Sequence, residues 1–453
     1  MRLFPISPAL PVSMVERIAP SPLPDPYPVA WNAPLAAELG IVRDLGDAEL
    51  LATLAGNRVP PGADPVAVGY AGHQFGVWVP KLGDGRAILL GQVEDQGHRR
   101  IDIQLKGAGM TRWSRMGDGR AVLRSTIREY LASAAMSGLG IPTTRALSIV
   151  GSDLPVFRER TETAAVLCRT AATHIRFGSF EWLASLGQED DLRQLADQVI
   201  AVHYPPLLKL QASERHAAWF DEVVLRTARL MAAWVAAGFA HGVMNTDNFS
   251  IIGDTLDYGP FGWMERYDPG WICNHSDHGG RYAFGRQPMV GLWNCTRLAE
   301  ALLSLISEEA AMASLDRYRS EYERVTIGLL RDKLGLVIED DHDSELIGEL
   351  FIAMQQSGAD YTRTFRVLSR WNDKRQQATG GDERRQLATD GNEKRRLATG
   401  GDLVALAGWL ERYAVRLELE QRSTAERHAA MLRGSPKYVL RNWMAEEVIA
   451  AAT

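Results

Sequence analysis

Cysteine is scarce in this chain. Cys168, Cys273 and Cys295 are its only three among 453 residues, too few and too scattered for a disulfide framework or a zinc knuckle, and the scarcity favours a reducing compartment. Long apolar runs are missing too. No stretch approaches the roughly 20 residues of a membrane span, and the opening Met1-Arg2-Leu3-Phe4-Pro5-Ile6 lacks the apolar core of a secretory leader. Nor is there an excess of basic charge. A formal charge of −6 offers no electrostatic footprint for nucleic acid. Together these absences point to a cytoplasmic protein without nucleic-acid or membrane partners, monomeric by default. What remains is ordinary globular composition, 46% hydrophobic and 23% charged, with enough length for two lobes or two to three domains.

Order along the chain suggests α+β architecture, sheet first and helices later. Residues 1–65 are proline-rich and read as an N-terminal extension packed on a domain. Val77-Trp78-Val79 and Ala87-Ile88-Leu89-Leu90 flank a glycine turn, Lys81 to Arg86, which predicts a hairpin. A second hairpin is expected at Glu94-Asp95-Gln96-Gly97, because Ile101, Ile103 and Leu105 then alternate with Asp102, Gln104 and Lys106. Helical spacing of Leu123, Ile127, Leu131 and Ala134 predicts a helix over 122–137, and Ala164 to Leu167 suits a further strand. Past Ser179 the period is mainly helical. One apolar stripe runs from Phe220 to Trp234 and ends near Gly238, and helical patterns return at 296–333, 344–370 and 402–433. Asn248 to Leu256 reads as a tight hairpin. Three ten-residue repeats at 371–401, charged and glycine-punctuated, lack the apolar residues of a solenoid and read as a solvated insertion.

One further absence carries chemistry. His241 and Asn248 stand at the spacing of the protein-kinase catalytic loop, H-R-D-x-x-x-x-N, and Asp257-Tyr258-Gly259 can stand for D-F-G nine residues on. The position of the kinase base, however, is Val243, which cannot accept a proton. The nearest aspartate is Asp247, beside Asn248. The pattern is that of a nucleotide-and-metal site whose chemistry departs from ordinary phosphorylation.

Other candidates gain weight only in company. Gly83 and Gly85 would let the backbone approach phosphates, with Arg86 adding charge, although Gly-Asp-Gly also suits a plain hairpin. Lys106, on the polar face of its strand, and Glu129, off the apolar stripe of the following helix, match the kinase device that orients ATP phosphates. The alternative for Lys106 is a solvent-facing lysine. Asn248 and Asp257 offer hard oxygen ligands that suit Mg2+, or could equally cap a turn and close a hairpin. Arg169 and Arg176 fit phosphate oxygens by two-pronged bonding, or serve as internal salt-bridge partners. His275, Asp277 and His278 invite a zinc reading that no second ligand group at the right spacing supports; an ordered polar loop is expected instead.

Taken together, the sequence resembles the selenoprotein O family of kinase-like protein adenylyltransferases. The matching runs include Tyr70-Ala71-Gly72-His73-Gln74-Phe75-Gly76, Gln104-Leu105-Lys106-Gly107-Ala108-Gly109, Asp118-Gly119-Arg120, Ser125 to Tyr130, Arg169 to Arg176, Val243 to Asn248, Asp257 to Gly262, Gly358 to Thr362 and Pro436 to Asn442. The resemblance implies a bilobal fold, with a sheet-plus-helix N-lobe at 66–168 and a helical C-lobe at 169–453. It implies transfer of AMP from ATP to Ser, Thr or Tyr hydroxyls of proteins, itself included, with ATP flipped relative to kinases. By the same resemblance Asp247 is the proton acceptor, and Asn248 and Asp257 hold Mg2+ or Mn2+. Gly83, Gly85, Arg86, Lys106, Asp118, Gly119, Arg169, Arg176 and Asp257 surround the nucleotide, with Glu129 paired to Lys106. Some members carry a cysteine or selenocysteine near the C-terminus, which this sequence lacks before Thr453. The competing readings are an ordinary protein kinase, opposed by Val243, and a non-catalytic scaffold, opposed by the intact Lys106, Glu129, Asn248 and Asp257.

Overall fold

The structure is a computed structural model and describes residues 3–6, 10–371 and 406–452. The repeats, apart from Trp371, lie outside them. The described chain is α+β. β1 (Val15–Arg17), β2 (Tyr27–Trp31) and the short helices α1 (Ala33–Glu38) and α2 (Ala48–Leu54) come from the proline-rich segment. There follow β3 (Val66–Val68), β4 (Gly72–Gln74), β5 (Val77–Val79), β6 (Ala87–Glu94), β7 (Arg100–Lys106) and β8 (Ala121–Val122). Helix α3 (Leu123–Gly138) precedes the long strands β9 (Arg145–Phe157) and β10 (Thr161–Ala171).

Seven strands run in the order β1-β3-β6-β7-β10-β9-β2, and β8 pairs with β10 to make an eight-stranded antiparallel sheet. Both ends of that order come from residues 10–65, so the extension is woven into the sheet. Because side chains alternate across a strand, the sheet has two different faces. Leu105 and Cys168, directly opposite each other, join Leu35, Leu39, Leu50 and Leu54 in an apolar core beneath α1 and α2. Leu167 points the other way and packs with Leu123 and Ile127 of α3.

The glycine turn corrects one expectation. β5 pairs with β4 in a separate two-stranded ribbon, while β6 pairs with β7. Residues 81–86 therefore connect two sheets and do not close a hairpin. The β6–β7 hairpin forms as expected, with Asp95 accepting from the backbone N–H groups of Gly97 and Arg99 in its turn.

Helices then dominate: α4 (Phe177–Ser185), α5 (Glu189–His203), α6 (Ala212–Ala237) and, after the small strands β11 (Phe239–Ala240) and β12 (Gly262–Trp263), α7 (Gln287–Ala301) and α8 (Glu308–Leu334). α9 (Asp343–Ser357), α10 (Tyr361–Leu368), α11 (Ala407–Leu417), α12 (Thr424–Gly434) and α13 (Asn442–Ala452) complete the described chain. The stripe expected on α6 is buried: Phe220, Val223, Val224, Met231 and Trp234 all enter the largest core, and Gly238 ends the helix. The hairpin expected over 248–256 reduces to one isolated bridge, Phe249 to Thr255. Among the described residues no helix is long and apolar enough to cross a membrane.

Candidate active site

The polar face of β7 is the starting point. Asp102, Gln104 and Lys106 share it by the two-residue period, yet Asp102 and Gln104 are buried and the Lys106 side chain is only 12% exposed. Lys106 is therefore not the solvent-facing lysine of the simpler alternative. Its Nζ donates to Glu129 Oε2 at 2.6 Å, and the other Glu129 oxygen accepts from Arg169 Nε at 2.5 Å. The sheet supplies the geometry. Arg169 on β10 sits directly opposite Gln104 on β7, so both side chains leave the same face, and Arg169 Nη1 donates to Gln104 Oε1 at 3.3 Å. Glu129 reaches them because α3 buries two sides: the Leu123–Ile127 face on the sheet, and the Thr126–Glu129–Ser133 face. Ala134, expected in the apolar stripe, is exposed.

Asp257 closes the network from the other side. Its Oδ1 accepts from Arg169 Nη2 at 2.5 Å and its Oδ2 from Arg176 Nη1 at 2.7 Å, while Lys106 Nζ lies 3.9 Å from Oδ1. The segment before it is pinned. His241 Nε2 donates to the Leu256 carbonyl at 2.9 Å, Trp234 Nε1 donates to Thr255 Oγ1, and Thr144 N donates to the Thr255 carbonyl. Asp257 itself has φ +58, a left-handed conformation that costs a non-glycine residue roughly 1–2 kcal/mol and that the two arginines help to hold. Arg176, at the start of α4, lies over the Tyr70 ring at 4.4 Å and also donates to the Asp247 carbonyl at 3.0 Å.

The electrostatics follow from burial and neighbours. Burial drives Lys106 down to about 8, aided by Arg169 and only partly offset by Glu129. Burial would raise Glu129, but Arg169 and Lys106 hold it below the ordinary glutamate value. Asp257 is held well below the carboxylate range, its burial outweighed by Arg169 and Arg176. Asp247 is different. Burial pushes it up to about 7, and Arg176 and a hydrogen bond from Gln74 offset this only in part. Its Oδ1 is buried with no partner among the described residues. A carboxylate of that kind, close to half-ionised at neutral pH, is suited to taking a proton.

The remaining candidates occupy the rim. Gly83 has φ +131, and a Cβ there would stand 2.4 Å from Trp113 Cγ, so only glycine fits the turn. Ser114 Oγ donates to the Gly85 carbonyl, and Thr111 Oγ1 donates to that of Asp84 at 2.8 Å. Arg86 is exposed, next to Ala87, which pairs with Lys106. Asn248 Nδ2 donates to the Val243 carbonyl at 2.9 Å, leaving its Oδ1 without a partner among the described residues. Asp118 and Gly119 share no direct contact with the Lys106 network. Asp118 is paired with Arg158 at 2.8 Å, a hydrogen-bonded ion pair that lowers it to about 2, and the Gly119 carbonyl accepts from Gly109 N. The 274–278 loop is ordered and polar: Asp277 accepts from the backbone N–H groups of Arg281 and Tyr282, and Asn274 donates to the Gly242 carbonyl. Gln104, Tyr70 and Asp84 belong to the site and were not singled out from the sequence. Gln104, two residues before Lys106 on a period-two strand, was within reach of that reading.

The protein adenylyltransferase SelO family model matches residues 9–453, nearly the whole chain. The chain belongs to that family. Curated relatives agree with it. A protein nucleotidyltransferase YdiU of Myxococcus xanthus is 49% identical over 444 residues, covering 98% of this chain and 88% of the relative. Counterparts from Thioalkalivibrio sulfidiphilus and Aliivibrio salmonicida are 49% and 46% identical, with the same coverage. The chain is thus an enzyme, a nucleotidyltransferase.

Proposed function

We propose that the enzyme transfers AMP from ATP to Ser, Thr or Tyr hydroxyls of proteins, including its own, on a kinase-like two-lobed frame. The sheet with α3 would be one lobe and the helices from α4 onward the other, with ATP flipped relative to kinases. The observation that carries this reading is a cluster of three cations, Lys106, Arg169 and Arg176, around Asp257; Arg176 also bonds the backbone of a buried Asp247 whose Oδ1 has no partner among the described residues, with Val243 where a kinase base would stand.

In this reading Asp247 accepts the proton of the attacking hydroxyl. The hydroxyl oxygen forms a bond to the α-phosphorus of ATP, the bond between that phosphorus and the bridging oxygen breaks, and pyrophosphate leaves. Lys106, Arg169 and Arg176 neutralise phosphate oxygens, with Glu129 orienting Lys106. The glycine turn at Gly83 and Gly85, with Arg86, and the loop bearing Asp118 and Gly119 contact the rest of the nucleotide. The donor set suits Mg2+ or Mn2+, since Asp257 brings a carboxylate and Asn248 a carbonyl oxygen with no partner among the described residues. When bound, the ion supplies charge neutralisation to the phosphates.

Labelled nucleotide tests the reading. With ATP labelled at the α-phosphorus the protein should become labelled, and with γ-labelled ATP it should not. Incorporation of the γ-label would mean phosphorylation, and incorporation of neither would mean a scaffold.

A further inference from the structure

Beyond Tyr70, the run Tyr70 to Gly76 has been given no role in the transfer step, yet the structure sets it against Asp247. β4 carries Gly72 and Gln74 on one face, as the two-residue period requires, and both meet that aspartate. Gln74 Nε2 donates to Asp247 Oδ2 at 3.3 Å, the one side-chain donor to this carboxylate among the described residues. Gly72 stands against the other oxygen: a Cβ there would lie 2.8 Å from Asp247 Oδ1 and 3.0 Å from its Cβ. Arg176 bonds the backbone carbonyl of Asp247, not its carboxylate.

We propose that Gln74 is a positioning residue for Asp247: its amide holds Oδ2 while the Gly72 backbone closes over the buried Oδ1, so that the plane of the carboxylate is fixed for the substrate hydroxyl. This inference rests on the reading of Asp247 as proton acceptor. The ribbon does not depend on Gln74 for its own place. His73 N donates to Thr246 Oγ1 at 2.7 Å, Phe75 N donates to Asn245 Oδ1 at 3.2 Å, and Ala71 N donates to the Gly178 carbonyl at 3.0 Å. On the opposite face His73 Nδ1 lies 2.6 Å from Glu181 Oε1 and its ring packs against Trp78 and Trp293. Removing the Gln74 amide therefore leaves strand and loop anchored.

Gln74→Met keeps the length and removes the donor. The expected result is a fall of about tenfold in kcat for self-transfer, with KM for ATP within about twofold and an unchanged melting temperature. The same change in an Asp247→Ala background, followed with α-labelled ATP over hours to keep the residual rate measurable, should cost nothing further, because coupled residues are non-additive. An equal loss in both backgrounds, or a loss confined to KM, would overturn the positioning role, as would an undiminished kcat while Asp247→Ala alone is impaired. A wild-type rate for Asp247→Ala alone would instead overturn the proton-acceptor reading itself.

Discussion

At the scale of single residues, the site is a buried set of charges in which three cations face two carboxylates, Glu129 and Asp257. Taking one partner from such a set leaves the others uncompensated, a loss of about 3–5 kcal/mol for a buried pair. Lys106→Ala should cripple nucleotide use, and Glu129→Gln should weaken it by letting the lysine stray. Since Nζ and Oε2 are 2.6 Å apart, the double variant should be less impaired than the product of the two singles, read as transfer rates. Asp247 is outside that ion-paired set. Asp247→Ala should keep ATP affinity by calorimetry close to wild type and lower transfer by roughly 10²–10⁴, the range of a positioned base; a variant that transfers normally would end that assignment.

At the scale of elements, the last turn of α8 carries a titration that can be read as stability. Lys333 is buried and donates to the Gly434 carbonyl at 3.0 Å, and burial lowers it to about 8. Between pH 8 and about 10.4, the usual lysine value, the unfolded chain binds the proton that the folded chain has lost, so stability rises with pH across that window. Lys333→Met should accordingly raise the melting temperature at pH 7 and lose most of that advantage near pH 10.5. An advantage that does not change with pH would refute the linkage. How far elements could be read from the sequence depended on how pure their periods were. α3, β7 and the apolar stripe of α6 each show one clear repeat and formed where expected. β9 went unread because Ser148, Gly151, Ser152, Asp153 and Pro155 break any strand pattern; it is held by two neighbours, β10 and β2. The three-residue strands β1, β3 and β4 are too short to show a period at all, and β5, expected at Val77-Trp78-Val79, pairs with β4 instead of β6. The polar face of β7 looked like a solvent face because its partners, Glu129 and Arg169, come from 23 and 65 residues away, a distance no local pattern spans. The pairing of Lys106 with Glu129 was legible from a polar-face strand lysine followed by an off-stripe helix glutamate, whereas the clasp of Arg169 and Arg176 on Asp257 needed the coordinates.

At the scale of the whole molecule, the apolar cores tie distant segments together. Trp371, where the repeats begin, and Leu406, beyond them, enter the same core as Tyr361, Trp409 and Tyr413, so the described segments before and after the repeats pack together directly. Replacing residues 373–400 by a Gly/Ser linker long enough to join those ends should change self-transfer little, since loop length alters closure cost by only about 0.6 kcal/mol per doubling. A large loss of transfer with the melting temperature preserved would give the repeats a part in substrate capture. The central claim is the identity of the group that moves, and intact mass of the whole protein after incubation with ATP and Mg2+ reads it directly. The account predicts a gain of about 329 Da per modified hydroxyl, the mass of an AMP group, appearing far more slowly in Asp247→Ala; a gain of about 80 Da, one phosphoryl group transferred from the γ-position, would contradict it.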